Sequence, residues 1–158
     1  MDTTGFDDNI EPYRNACDYI IPCIMSHMPI DLLIIMLGTN DTKERYHLSP
    51  NEIVYSLEEL VKKTLNYFYW CDKKVEILLI SPVPLKDELV DDEFSLLSIK
   101  KSKALPKLYE TLASKYGIHY LNASLFVNSL GCDNIHLSEE NHTQLSNALV
   151  TKIQNILC

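Results

Sequence analysis

Two short clusters in this chain combine residue types that could do chemistry. The first is Gly131-Cys132-Asp133-Asn134-Ile135-His136-Leu137-Ser138. Asp133 and His136 stand three apart, and a carboxylate that close can hold the imidazole Nδ1–H and leave Nε2 free as a base. The same spacing is also common for a turn aspartate beside a surface histidine. The second cluster is Gly38-Thr39-Asn40-Asp41, which ends an apolar run abruptly. Polar residues just past a buried strand are candidates for chemistry, because the loops at the carboxyl ends of strands hold the ligand in open α/β sheets. The plain alternative is that Gly38 turns the chain and Asn40 or Asp41 caps the next element.

The elements that must position these clusters can be read from periodicity. Asp31 to Leu37 is almost all large and apolar, which predicts a parallel strand buried on both faces. Before it, a helix is expected from about Ala16 to Met28, with Tyr19, Ile20, Cys23, Ile24 and His27 facing the sheet. Pro22 moves its expected start toward Asp18. Asp7, Asp8 and Glu11 read as solvated loop residues. After Asp41 a polar connection leads to Ser49-Pro50-Asn51-Glu52, an N-cap, a proline at N1 and a capping-box glutamate. That helix carries Ile53, Leu57, Leu60, Val61, Leu65 and Phe68 on one face, and the aromatic run Tyr67 to Trp70 is expected to pack at its end.

Lys74 to Ile80 is the next strand, and Ser81-Pro82-Val83-Pro84 lies past its carboxyl end. Asp87 to Glu93 reads as a solvated acidic segment. A long helix over about 94–116 has Leu97, Ala104, Leu105, Leu108 and Leu112 on its apolar face, with a break expected at Pro106 and a stop at Gly117. Ile118 to Leu121 is a short strand. Ser138 caps the last helix, which Leu145, Leu149, Ile153 and Ile156 bury.

The bulk numbers exclude several classes. The 158 residues fit one domain, and 46% apolar residues can build a core. A net charge of −8, from 14 basic and 22 acidic side chains, argues against a nucleic-acid surface. No apolar stretch is long enough for a membrane span, and the N-terminus lacks the pattern of a secretory signal. Five cysteines (17, 23, 71, 132 and 158) without Cys-x-x-Cys spacing read as reduced thiols of a cytoplasmic protein. The five histidines form no ligand pattern, so no metal is expected, and no cofactor is implied.

Taken in order, Gly-x-Asn-Asp after a buried strand and Asp-x-x-His-Leu-Ser before the last helix resemble blocks III and V of the SGNH (GDSL-type) hydrolases, in particular the arylesterase-like branch. Thr3-Thr4-Gly5-Phe6-Asp7-Asp8, Glu11-Pro12-Tyr13-Arg14-Asn15, Lys103-Ala104-Leu105 and Tyr120-Leu121-Asn122-Ala123 resemble that branch as well. The resemblance implies a flavodoxin-like three-layer α/β/α sandwich with a parallel sheet, and hydrolysis of short-chain acyl esters by serine-hydrolase chemistry. It casts His136 as base, Asp133 as its orienter and the Asn40 amide as an oxyanion donor. Gly38, Thr39, Asp41 and Ser81 fall on substrate-pocket positions, and Asp41 is expected to fix loop geometry rather than react.

One departure matters. The resembled family places its nucleophilic serine in a Gly-Asp-Ser block on the first strand, and no Gly-Asp-Ser occurs here. Met1 falls at about the glycine of block II, so the expectation is a single domain over 1–158 lacking its first β-α-β unit, with about three strands remaining. The Asp31–Leu37 strand would then be an edge, an invitation to pair with a second copy in a homodimer. Three readings follow: an esterase by descent whose short chain is inactive or weak, a non-catalytic binding or assembly module, or an enzyme in which Ser81, Ser124 or Cys132 has become the nucleophile. Against Ser81, Pro82 removes one N–H that an oxyanion would need.

Overall fold

The computed structural model describes residues 3–7, 13–89, 91–127 and 129–158. Three strands, β1 (Leu32–Ile35), β2 (Glu76–Ser81) and β3 (His119–Asn122), form one parallel sheet in the order β1-β2-β3. Leu32 pairs with Glu76 and Ile35 with Leu79; Leu78 pairs with His119 and Ser81 with Asn122. Four helices accompany them: α1 (Ala16–His27), α2 (Pro50–Trp70), α3 (Leu96–Tyr116) and α4 (Glu139–Leu157). Crossovers α2 and α3 pack on the same sheet face, as right-handed connections between sequential parallel strands require.

The core follows from this layering. Ile20 and Ile24 of α1, Ile53, Leu57 and Leu60 of α2, and Leu105, Tyr109 and Leu112 of α3 close over Ile35, Ile77 and Leu79. On the opposite face α4 is the one helix among the described residues that supplies cover, with Leu145, Leu149 and Ile156 against Leu78, Ile80 and Leu121. The architecture is the expected α/β sandwich with three parallel strands.

Local signals account for the helix starts. Ser49 Oγ accepts from Glu52 N at 3.3 Å while Ser49 N donates to the Glu52 carboxylate at 2.7 Å, a complete capping box. Ser138 and Asn141 make the same exchange for α4, and Ser95 and Ser98 for α3.

Several boundaries and faces differ from the sequence expectation. The strand at 31–37 is ordered as strand only over Leu32–Ile35. It is not buried on both faces: Ile34 is 40% exposed. Among the described residues β1 pairs with β2 alone, so its other edge has no strand partner there. The second strand begins at Glu76 and runs to Ser81, and the third is shifted one residue to His119–Asn122. Helix α1 begins at Ala16, capped by Asn15, and keeps Pro22 inside. Pro22 and Asp18 both face solvent, so the carbonyl that loses its N–H partner can be hydrated. Tyr19 and His27 are also on that outer face.

Helix α3 runs unbroken through Pro106, whose carbonyl accepts the Tyr120 hydroxyl at 2.7 Å. Leu97 is exposed in the first turn of α3, because Ile99 and Leu105 hold the buried stripe. Of the aromatic run, Phe68 is buried, whereas Tyr69 and Trp70 project into solvent at the end of α2. The acidic segment is not simply solvated: Glu93 pairs with Lys43 at 2.5 Å and with Arg45. Asp7 is exposed but accepts from the Asn15 amide at 3.1 Å. The expectations for Asp8 and Glu11 lie outside the described residues.

Candidate active site

The loop before α4 brings Asp133 and His136 together. Asp133 Oδ2 lies 2.6 Å from His136 Nδ1, and Asp133 Oδ1 accepts the backbone N–H groups of Ile135 and His136 at 3.0 and 2.9 Å. These three bonds hold the Asp133 carboxyl well below the usual carboxylate range. A carboxylate on Nδ1 makes that nitrogen the donor and leaves the Nε2 lone pair outward as the base. The imidazole is 81% exposed, and Nε2 has no hydrogen bond among the described residues.

The loop itself is closed by Gly131 N donating to His136 O at 2.7 Å and Asn134 N donating to Gly131 O at 3.0 Å. It is docked on the segment that follows β2. Lys86 N donates to Asn134 O at 3.3 Å, the Asn134 amide donates to Glu88 O at 3.1 Å, and Ile135 packs with Leu85, Phe94 and Ile99.

The Asn40 turn approaches the same edge of the sheet from β1. It is a single 3-10 turn, Asn40–Thr42, reached through Gly38. Gly38 has φ +117°, and a Cβ there would stand 2.1 Å from the Tyr109 hydroxyl, so only glycine fits. Tyr109 is fully buried and donates to Leu37 O at 2.8 Å. Thr42 O accepts from Ser98 Oγ at 2.7 Å and from the buried Lys101 ammonium at 3.4 Å. Beyond the turn, Glu44 N donates to Glu93 O at 3.0 Å, Lys43 sits over the Phe94 ring, and Ser95 Oγ donates to Glu44. Residues 93–99 therefore brace both the Asn40 turn and, through Phe94 and Ile99, the His136 loop. The Asn40 side-chain amide is held by no hydrogen bond among the described residues.

The pocket residues expected from the sequence are placed unevenly. Thr39 is half-buried, while Gly38, Asp41 and Ser81 are buried. Ser81 Oγ is 3.0 Å from the Tyr120 hydroxyl and 3.4 Å from Asn122 Oδ1, beneath the surface rather than on it. Asp41 Oδ1 accepts both Thr4 N at 2.9 Å and Thr4 Oγ1 at 2.7 Å. Ser124 bonds Asn122 Oδ1 at 2.7 Å, and Cys132 is an exposed free thiol. A cleft of about 450 Å³ past the carboxyl end of β2 is lined by Val83, Pro84, Leu85, Lys86, Lys103 and Val127, among others. Thr4, Tyr109, Ser98 and Lys101 were not legible as site-supporting residues, since each reaches the turn from far along the chain. Among the described residues no group of three acidic, histidine or cysteine side chains could hold a metal, and no helix is long and apolar enough to cross a membrane.

Solved structures similar to this chain include esterases. A carbohydrate acetylesterase from Sinorhizobium meliloti superposes with a TM-score of 0.92 at 32% identity, over 99% of this chain and 75% of that one. The aryl esterase of M. smegmatis superposes with a TM-score of 0.90 at 30% identity, over the same shares of the two chains. The chain belongs to the SGNH-type hydrolases. A further carbohydrate acetylesterase family member from Sinorhizobium meliloti matches at 25% identity with a TM-score of 0.84. No family model and no curated protein matches the chain. Within the SGNH hydrolases it is thus similar to aryl esterases and carbohydrate acetylesterases, and it spans about three quarters of the length of the two described first.

Proposed function

We propose that this chain carries the acid–base pair and one oxyanion donor of an SGNH-type esterase acting on short-chain acyl esters. The observation that carries the reading is the 2.6 Å contact of Asp133 with His136 Nδ1, with Nε2 open to solvent. In this reading His136 takes the proton from an attacking hydroxyl and returns it to the leaving alkoxide, while Asp133 stabilises the imidazolium. The free Asn40 amide donates to the oxyanion, a contribution of about 10²–10³ in rate. The cleft beside Lys86 and Val127 supports a small acyl group or alcohol, in keeping with the acetyl and aryl esters named for the relatives.

No hydroxyl or thiol among the described residues is bonded to Nε2. We therefore propose weak turnover for this chain, at the level left when a triad loses its nucleophile. The same observation favours a second reading, a binding module that kept the fold and not the reaction.

Intact-mass labelling with a fluorophosphonate and hydrolysis of p-nitrophenyl acetate separate these. The expected result is no adduct, and slow hydrolysis above buffer that falls in both His136→Ala and Asn40→Ala. Rates equal across all three proteins overturn the esterase reading. A single adduct lost in His136→Ala overturns the weak-turnover part and places a working nucleophile within these residues.

A further inference from the structure

The Asn40 turn contains a buried acid that the proposed mechanism does not use. Asp41 is 0% exposed, and its two oxygens are treated unequally. Oδ1 takes both donors of Thr4, whereas Oδ2 is buried with no hydrogen-bond partner. The titratable groups facing it are the Cys17 thiol on α1 and the Tyr109 phenol on α3, and burial pushes both toward their neutral forms. The nearby Lys101 ammonium of α3 is bonded to Thr42 O, not to the carboxylate. An ionised Oδ2 would thus be a buried negative oxygen with no donor, which costs far more than a neutral hydroxyl in the same place.

We propose that Asp41 is the positioning residue of the Asn40 amide, a latch held on Thr4 that shifts when its carboxyl loses the proton on Oδ2. This rests on the reading of Asn40 as the oxyanion donor. The two residues share one 3-10 turn, so a shift of that turn to relieve Oδ2 would carry Asn40 with it. The rest of the turn is fixed: Tyr109 holds Leu37 O, Ser98 holds Thr42 O, and Cys17 Sγ donates to Thr4 O at 3.4 Å. Asp41 is the one member of this set whose charge can change near neutrality. Burial pushes its carboxyl up to about 6, against the downward pull of the Thr4 bonds.

The test follows the Asn40 side-chain amide by NMR between pH 4.5 and 8, assigned by its loss in Asn40→Ser. In the wild-type chain the pair of signals is expected to move with one midpoint near 6. In Asp41→Asn it should be flat and sit at the wild-type low-pH position, because asparagine offers Thr4 the same oxygen and puts an NH₂ where the protonated Oδ2 stood. A flat wild-type profile, or a midpoint that survives in Asp41→Asn, overturns the latch. Should Asp41→Asn not fold, the Asp41 carboxyl carbon is followed in the wild-type chain. Its midpoint must coincide with that of Asn40, and a separate midpoint overturns the proposal. Adding methylphosphonate separates this from the site reading. An Asn40 signal that titrates but ignores the anion refutes the oxyanion role, and one that responds to the anion but does not titrate refutes the latch alone.

Discussion

Asp41→Asn should remove a pH dependence of stability that the wild-type chain carries, and its size can be worked from the burial of one carboxyl group. The ordinary value of 3.8 applies when the chain is unfolded, and the folded value is about 6. The folded state therefore binds the extra proton between these values, so the contribution is fully present below 3.8 and is lost as pH rises through 6. A difference of about 2.2 units at about 1.36 kcal/mol per unit gives a loss of about 3 kcal/mol at full ionisation. About 1 kcal/mol of that is already gone at pH 4.5, which leaves about 2 kcal/mol to be lost between pH 4.5 and 8. Urea unfolding followed by circular dichroism, on both proteins at pH 4.5, 6 and 8, measures it. Every other group contributes equally to the two curves, so the difference between them isolates Asp41. Wild-type stability should fall relative to Asp41→Asn by about 2 kcal/mol across the range. Parallel curves would refute the argument that Oδ2 is desolvated without a donor.

Gly38→Ala should destabilise the fold by about 2–4 kcal/mol, since it combines a forbidden φ with a contact on Tyr109; Tyr109→Phe in the same chain should recover part of the loss in thermal melts. Tyr109→Phe alone should cost about 1–2 kcal/mol by leaving the half-buried Leu37 O without its donor, and denaturant titration reads this directly. His136→Ala should leave the melting temperature nearly unchanged because the ring is in solvent, whereas Asp133→Ala should lower it by freeing two backbone N–H groups; equal melts for the two would count against the loop account. The open edge of β1 should pair with a second copy, so sedimentation should give a homodimer and Ile34→Lys a monomer; a wild-type monomer ends that proposal.

How much could be read beforehand depended on the range of the interaction. Capping boxes are local, and Ser49 with Glu52 announced the start of α2 to the residue. The parallel sheet was legible because Asp31–Leu37 and Lys74–Ile80 are short apolar runs joined by a helix-length stretch. The exposure of Ile34 was not legible in the run itself, because an apolar run carries no record of what covers its faces; that the strand would be an edge came only from the resemblance. Asp133 and His136 were paired from spacing alone, since three residues suffice to bring them together. Thr4 and Asp41 are separated by 37 residues and meet only once the sheet has formed. Glu93 looked solvated because its partners, Lys43 and Arg45, lie some 50 residues upstream. The buried position of Ser81 follows from its place at the end of β2 beneath Tyr120, a pairing that only strand register reveals.

The unequal clothing of the two sheet faces decides how the molecule comes apart. Three helices interlock on one side, where Ile24, Ile53, Leu57, Leu60, Leu105 and Tyr109 are buried. On the other side α4 stands alone, and in 19 residues only Asn141 and Leu145 are buried. A helix held by so little should open before the rest, in a step separate from global unfolding. His136 sits just ahead of that helix, with its N-cap Ser138 between them. On this argument Asp133 and His136 would be released early. Amide exchange should show α4 and the 131–138 loop released together while α2 and β2 remain protected, and a protease should find its first cut there.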